Sequence, residues 1–331
     1  MNREFLWKRA ETSRIPFGEG RALILVTGGA GNMGRRLAWA LADRGNRVRI
    51  LCLPGDASAR SLQGGNLEVA FGDITRVDTL SGSMRGVKTV FHLAAVLIAP
   101  GRPEYLRSVN SEGTRNLVEA SETAGVTHFI YVSSISVEYP RSNAYSRSKL
   151  EGEAWVKRSK MRHTIVRPSL AYEDGGALEF MHFVDYLRYS PVILLPKGGK
   201  ARKSPVHIDD LVTGFLTLPG NAKAYGKTYS FTGGEILSLR EMAAALLSHM
   251  GRPKPMLGVP AWICLLGAAT LWAWSKITGA ASAFTWQTYT GLVQDAAASH
   301  NLASEELGYR PRAFREGLDT LVSLRDCLKV P

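Results

Sequence analysis

The chain has 331 residues, 45% hydrophobic and 21% charged, the composition of a globular protein with material for one large or two coupled units. Its formal charge of +12 is spread along the chain, apart from a short cluster at Lys197–Lys203. No nucleic-acid motif accompanies that charge, which excludes nucleic acid in favour of a solvated basic surface. Cys52, Cys264 and Cys327 stand at no metal-ligand or redox spacing, so zinc, disulfide-scaffold and CxxC chemistry are excluded and a reducing cytoplasm fits.

Residues 1–20 are polar and charged around one apolar patch, Phe5–Trp7, and read as an N-terminal extension rather than a secretory signal. Ala22–Val26 is a continuous apolar run, as in a buried parallel strand, and Arg35–Ala42 is an amphipathic helix. Between them lies Thr27-Gly-Gly-Ala-Gly-Asn-Met-Gly34. Two spacings fit it at once, Gly29-x-Gly31-x-x-Gly34 and Gly28-x-x-Gly31-x-x-Gly34. A side chain in such a turn would hold the backbone away from a pyrophosphate, while the helix N-terminus offers free N–H groups to that anion. The turn is therefore a candidate dinucleotide site.

Arg47–Leu53 is the second strand, closed by Pro54-Gly55. An acid at its end would read an NAD ribose and an arginine nearby an NADP phosphate. Cys52 and Leu53 occupy that place, Asp56 lies beyond the turn and Arg60 further on, so NAD or NADP stays open. Leu67–Phe71 is a third strand ending in Gly72-Asp-Ile-Thr75, and Val90–Val96 a fourth that runs into small residues, as expected where a ligand lies against the backbone. Tyr105–Ala124 is helical, His128–Val132 is a fifth strand stopping at Ser133-Ser134, a helix opens at Tyr145, and Thr164–Pro168 is a sixth strand. This alternation predicts an α/β fold, a doubly wound parallel Rossmann sheet over 21–168. Beyond Ser169 the alternation breaks. The expected organisation is a smaller, mostly helical C-terminal substrate lobe over 169–204 and 233–331, with 205–232 returning to the sheet domain.

Tyr145 and Lys149 stand four apart and so share a helix face. A tyrosine is a poor acid or base at its free pKa of about 10. An ammonium beside it favours the phenolate, and a serine at a strand end can hold the oxygen whose proton is moved. Ser134, Tyr145 and Lys149 supply these parts, with a nicotinamide supplying or taking the hydride.

These residues resemble the short-chain dehydrogenase/reductase superfamily in its extended or atypical branch, the NAD-dependent epimerase/dehydratase family. The resemblance runs from about Ala22 to Pro311 through the glycine turn, Gly72–Thr75, His92-Leu-Ala-Ala95, Val109-Asn-Ser-Glu-Gly-Thr114, Tyr131–Val137, Tyr145-Ser-Arg-Ser-Lys149, Arg167-Pro168, Val206–Asp210 and Glu306–Pro311. It implies that Thr27, Gly28, Gly31, Asn32, Met33 and Gly34 hold the cofactor. Asp73 and Ile74 would border its adenine and Ala94 and Ala95 its ribose–pyrophosphate. Lys149 would hold the nicotinamide ribose beside Tyr145, and Pro168 would lie against the nicotinamide. Asn110 resembles the family's helix-kink asparagine, implied in a proton relay through water. Aligning Ser-Ser-x-x-Val on Ser133–Val137 puts the catalytic hydroxyl on Ser134, with Ser133 and then Ser136 behind it.

Two departures bear on the substrate. Nucleotide-sugar members carry an asparagine after Arg-Pro where Leu170 stands, and an arginine before Val-Asp-Asp where Lys203 stands; a lysine cannot make a bidentate phosphate fork. The second lobe is instead apolar at Val192–Leu195 and Leu257–Ser275. The pattern is similar to 3β-hydroxysteroid dehydrogenase-like members and implies a secondary alcohol or ketone on a hydrophobic, sterol-, isoprenoid- or lipid-like molecule. The competing expectations are a nucleotide-sugar epimerase or dehydratase and a non-catalytic NAD(P)-binding assembly or sensor subunit. Leu257–Ser275 carries no charge and three tryptophans. It is expected to be a buried cap or a peripheral membrane surface on the inner face of a membrane, not a span. No metal is expected, and the sequence is compatible with a homodimer.

Overall fold

The computed structural model describes residues 22–99, 101–174, 178–260, 262 and 293–321. The 1–20 extension lies outside the described residues, as do 263–275 of the apolar stretch with Trp272 and Trp274.

Seven strands form one sheet, all parallel. They are β1 (Leu23–Thr27), β2 (Arg47–Cys52), β3 (Leu67–Phe71), β4 (Val87–His92), β5 (His128–Val132), β6 (Arg162–Pro168) and, later in the chain, β11 (Lys227–Phe231). Their order is β11-β6-β5-β4-β1-β2-β3, so the connection reverses beside β1 and leaves a crevice at the carboxyl ends of β1 and β4. Every residue of β1 and β5 is buried, which is why these strands read as unbroken apolar runs.

Helix α1 (Asn32–Asp43) packs Leu37, Ala38 and Leu41 on one face of the sheet with Ile24, Ile50 and Phe215. The other face is covered by α4 (Gly113–Thr123) and α5 (Ala144–Arg158), which bury Leu117, Val118 and Val156 against Leu25, Val90 and Phe129. A third apolar cluster forms the lobe, where α6 (Leu178–Tyr189) and α8 (Leu239–His249) pack Phe180, Val184, Met242 and Leu246 together. Short strand pairs join the pieces. Here β7 (Ala171–Tyr172) pairs with β10 (Val206–His207), β8 (Ile193–Pro196) with β13 (Met256–Val259), and β9 (Arg202–Lys203) with β12 (Leu237–Ser238).

Two sequence expectations need correction. The fourth strand runs from Val87 to His92, not Val90 to Val96, because past His92 the Thr27 side chain takes over the pairing: Leu93 N–H still reaches Thr27 O, but Ala94 N–H meets Thr27 Oγ1 at 3.3 Å. The Tyr105–Ala124 helix is interrupted. It comprises α3 (Pro103–Arg107), a π turn over Ser108–Glu112 and then α4, so Asn110 sits on the widened turn.

Candidate active site

The glycine turn is shaped by what its missing side chains would strike. Gly28 has φ +70°, and a Cβ there would lie 2.7 Å from Ala94 N; a Cβ on Gly34 would lie 2.3 Å from Gly28 O. These two positions close the turn against β4 and against itself. Gly29 is required instead by β2, since its Cβ would meet Ile50 Cγ2 at 2.5 Å. Gly31 differs: its φ is −73°, a Cβ would meet only Gly28 O at 3.3 Å, and both it and Asn32 are exposed. Gly31 is the N-cap of α1 and, as a glycine, supplies no side-chain cap to the first N–H groups of the helix. Gly28, Gly29 and Gly34 are each held by a close approach, while Gly31, common to both spacings, is the open position at the start of the helix.

Thr27 begins a buried chain of hydrogen bonds. Ala94 N–H donates to Thr27 Oγ1, and Thr27 Oγ1 meets His92 Nδ1 at 2.7 Å; His92 Nε2 meets Thr114 Oγ1 at 2.9 Å, and that hydroxyl donates to Asn110 O at 2.7 Å. The backbone groups at both ends fix its direction, so Thr27 donates to Nδ1 and His92 carries its proton on Nε2. Burial, then the Lys149 charge, holds His92 well below its ordinary pKa, in the neutral form this chain requires. The chain locks the glycine turn to the π turn. Asn110 is fully buried: Oδ1 accepts from Val96 N at 2.8 Å, while Nδ2 donates to Val96 O at 2.8 Å and Ser148 Oγ at 3.1 Å. Its amide thus ties the loop after β4 to α5, and its carbonyl holds Thr114.

The start of α5 is set by a reciprocal cap. Asn143 Oδ1 accepts from Ser146 N at 2.8 Å and Ser146 Oγ accepts from Asn143 N at 2.9 Å, fixing the first turn that carries Tyr145. Ser148 Oγ donates back to Tyr145 O at 2.8 Å. Tyr145 is half-buried, whereas Lys149 one turn on is 1% exposed. The helix can sit this deep because of Gly152, where a Cβ would lie 2.2 Å from Tyr131 Oη and 3.0 Å from Asn110 O. Lys149 Nζ lies 4.2 Å from the centre of the Tyr131 ring and has no hydrogen-bond partner among the described residues. Burial pulls its pKa from 10.5 down to about 7, against the opposing pull of Glu153. A buried ammonium lacking acceptors is the donor that a ribose diol fits.

The two serines after β5 part ways. Ser133 Oγ donates to Glu153 Oε1 at 2.7 Å and is committed. Ser134 Oγ accepts from Ser136 N at 3.1 Å as the cap of a short turn, which leaves its proton for another acceptor, and it is half-buried where Ser133 is 5% exposed. Ser136 Oγ is buried. Pro168 ends β6 and is buried in register with Phe231.

At the other end of the crevice, Asp73 is half-buried and Oδ1 is oriented by Thr75 N and Oγ1, both at 2.8 Å. Ile74 is buried against Gly113, and its carbonyl accepts from Asn116 Nδ2 at 2.9 Å. Ala94 and Ala95 are half-buried on the loop after β4. At the tip of β2, Cys52 is buried and Leu53 is 56% exposed. The Asp56 carboxylate caps its own turn through Ser58 N at 2.9 Å and Ser58 Oγ at 2.7 Å. On the substrate side Leu170 packs on the lobe's apolar cluster, and Lys203 is 4% exposed with Nζ donating to Gln294 O at 2.6 Å. Glu153 and Ser148 carry no role in the sequence reading; the signal for Glu153 is its place one turn beyond Lys149.

A family model described as NAD dependent epimerase/dehydratase family matches residues 24–230. The 3 beta-hydroxysteroid dehydrogenase/Delta 5-->4-isomerase of Mycobacterium tuberculosis is 30% identical over 275 residues, covering 72% of this chain and 74% of that protein. The UDP-glucose 4-epimerase of Vibrio cholerae is 27% identical over 271 residues, covering 72% of this chain and 79% of that protein. Among solved structures, gox2253 superposes with a TM-score of 0.73 at 27% identity, covering 92% of this chain and 98% of that one.

Proposed function

The chain belongs to the NAD-dependent epimerase/dehydratase family, and from that footing we propose that it moves a hydride to or from a secondary alcohol or ketone on a hydrophobic, sterol-, isoprenoid- or lipid-like molecule. The observation that carries the substrate class is Lys203. The cation standing where a nucleotide-sugar diphosphate would be met is buried, and its ammonium is bound to Gln294 O. Leu170, at the other such position, serves the apolar core of the lobe. The 30% identity to a hydroxysteroid dehydrogenase supports the same reading.

In this reading the α1 N-terminus and the Gly31 cradle take the pyrophosphate, Asp73 and Ile74 border the adenine, and the partnerless Lys149 ammonium takes the nicotinamide ribose. The bound nicotinamide supplies or accepts the hydride. Ser134 Oγ donates to the substrate oxygen, and Tyr145 Oη moves the proton at that oxygen. Lys149 favours the phenolate by its charge, and low-dielectric surroundings strengthen that effect. Asn110 holds the loop after β4 on α5, so that cofactor loop and catalytic helix keep one spacing.

The competing reading, a nucleotide-sugar epimerase, is favoured by the likeness to UDP-glucose 4-epimerase. The purified chain, given NADH or NADPH with a 3-ketosteroid and, separately, NAD with UDP-glucose, separates the two. Consumption of reduced dinucleotide with the steroid is expected. Formation of UDP-galactose without net consumption would decide for the epimerase. A substrate of this solubility also favours a peripheral site on lipid, and Leu194, Leu257 and Trp262 are exposed.

A further inference from the structure

The most heavily bonded charge in the crevice is one that neither cofactor nor substrate is expected to touch. Glu153 is 1% exposed on α5. Its Oε1 accepts from Ser133 Oγ at 2.7 Å and Arg167 Nε at 2.8 Å, and its Oε2 accepts from Arg167 Nη2 at 2.7 Å. The Arg167 guanidinium is gripped from its other side by Glu138, on the short turn that Ser134 caps. Ser133 adjoins Ser134, Arg167 adjoins Pro168, and Lys149 precedes Glu153 by one helical turn. One carboxylate therefore joins the three backbone segments that carry the proposed serine, the proposed nicotinamide neighbour and the proposed lysine.

We propose that Glu153 is a positioning residue of the site, bracing β5, β6 and α5 at their functional ends and keeping Lys149 in its charged form. The proposal rests on the reading of Lys149 as the group that meets the dinucleotide. An ammonium buried without acceptors favours neutrality, and a negative charge one turn away is what opposes that drift. The groups facing Glu153 are Ser133 on β5, Arg167 on β6, and Lys149 and Lys157 on its own helix, with Lys157 Nζ at 3.5 Å and half exposed. The groups facing Lys149 are the Tyr131 ring on β5, neutral His92 on β4 and Glu153. Burial pushes Glu153 up, but the hydrogen bonds from Arg167 and Ser133 outweigh it and hold its carboxyl below the usual range, so it stays ionised.

The test is calorimetric titration of the full chain with NADH, in buffers of different ionisation enthalpy and across pH, which counts protons taken up at Lys149 on binding. Glu153→Gln removes the charge and keeps the shape. The onset of proton uptake should move toward acid by about half a pH unit or more, and NADH affinity at neutral pH should fall several-fold. Glu153→Asp keeps the charge and should leave the onset in place. Should the single Gln variant fail to fold, Glu153→Gln combined with Arg167→Gln leaves no unpaired ion behind and should show a smaller shift of the same sign, since the nearby cation is lost with the anion. An unchanged onset in a folded Gln variant, or weaker binding with no movement along the pH axis, would reduce Glu153 to ordinary packing. Absence of NADH binding to the wild-type chain would overturn the cofactor reading itself, a distinct result.

Discussion

The sharpest consequence of the site is that Lys149 should destabilise the cofactor-free protein. Its ammonium is 1% exposed, lacks a hydrogen-bond partner and titrates at about 7 instead of 10.5. A fall of that size corresponds to about 5 kcal/mol at roughly 1.4 kcal/mol per pH unit. The Tyr131 ring under the ammonium returns about 1–2 kcal/mol of that. Lys149→Met, which fills the same volume without the charge, should therefore raise the unfolding free energy of the dinucleotide-free protein by about 3–4 kcal/mol at pH 6. The sign with pH follows from linkage. Between about pH 7 and 10.5 the unfolded chain holds a proton that the folded chain has shed, so wild-type stability rises across that window, and below it the penalty is complete. The variant should lose this slope. Urea melts of both proteins at pH 6, 8 and 9, with and without NADH, measure it. NADH should stabilise the wild type and help the variant less. A Lys149→Met protein less stable than wild type at pH 6 without dinucleotide would refute the reasoning, since the ammonium would then be a net structural asset.

Other changes divide the site into separable parts. Gly31→Val should leave a folded protein that has lost dinucleotide affinity by calorimetry, because its Cβ meets only Gly28 O; Gly34→Ala should lower thermal stability outright, because its Cβ enters the backbone of Gly28. Tyr145→Phe should keep dinucleotide affinity and lose about 10²–10⁴-fold in turnover. Ser134→Ala should likewise cost turnover, together with about 0.5–2 kcal/mol of stability for the lost cap. Ser133→Ala, by removing a donor to buried Glu153, should cost about 1–3 kcal/mol in a denaturant melt.

How far the fold was legible depended on whether a signal was local. A buried parallel strand announces itself as an apolar run, so His128–Val132 was readable to the residue; Leu67–Phe71, half-buried at the edge of the sheet, was legible from its alternation. The end of β4 was not, because Thr27, sixty-five positions from His92, replaces the strand pairing there. The π turn at Ser108–Glu112 was hidden for the same reason: the helical periodicity of Tyr105–Ala124 continues through it, while its cause is the pull of buried Asn110 toward Val96 and Ser148. Tyr145 and Lys149 could be singled out as candidates by their spacing taken together with the glycine turn and the serines after the fifth strand. Glu153 could not, since its partners Ser133 and Arg167 meet it only after two strands and a helix have packed.

The lobe makes a last prediction. Leu194 and Leu257 are directly paired across β8 and β13, and both point outward, 43% and 54% exposed. Tyr189, at the end of α6, is 72% exposed and Trp262 60%. Lys254 Nζ holds the end of α6 to this edge by donating to Leu187 O, Arg188 O and Ser190 O, which joins the Tyr189 segment to the strand pair. Exposed leucines, a tyrosine and a tryptophan on this lobe, with exposed Lys197 and Lys200 on a chain of formal charge +12, lead us to expect contact with an anionic lipid surface. No described helix is long and apolar enough to cross a membrane, so contact would be from one side. Full-length protein should co-float with vesicles containing phosphatidylglycerol at low salt, and less with neutral vesicles or at high salt. Leu257→Ser with Trp262→Ser should cut flotation several-fold, and NADH affinity should be unchanged. Flotation that is absent at low salt, or unchanged in the double variant, would remove lipid from this face.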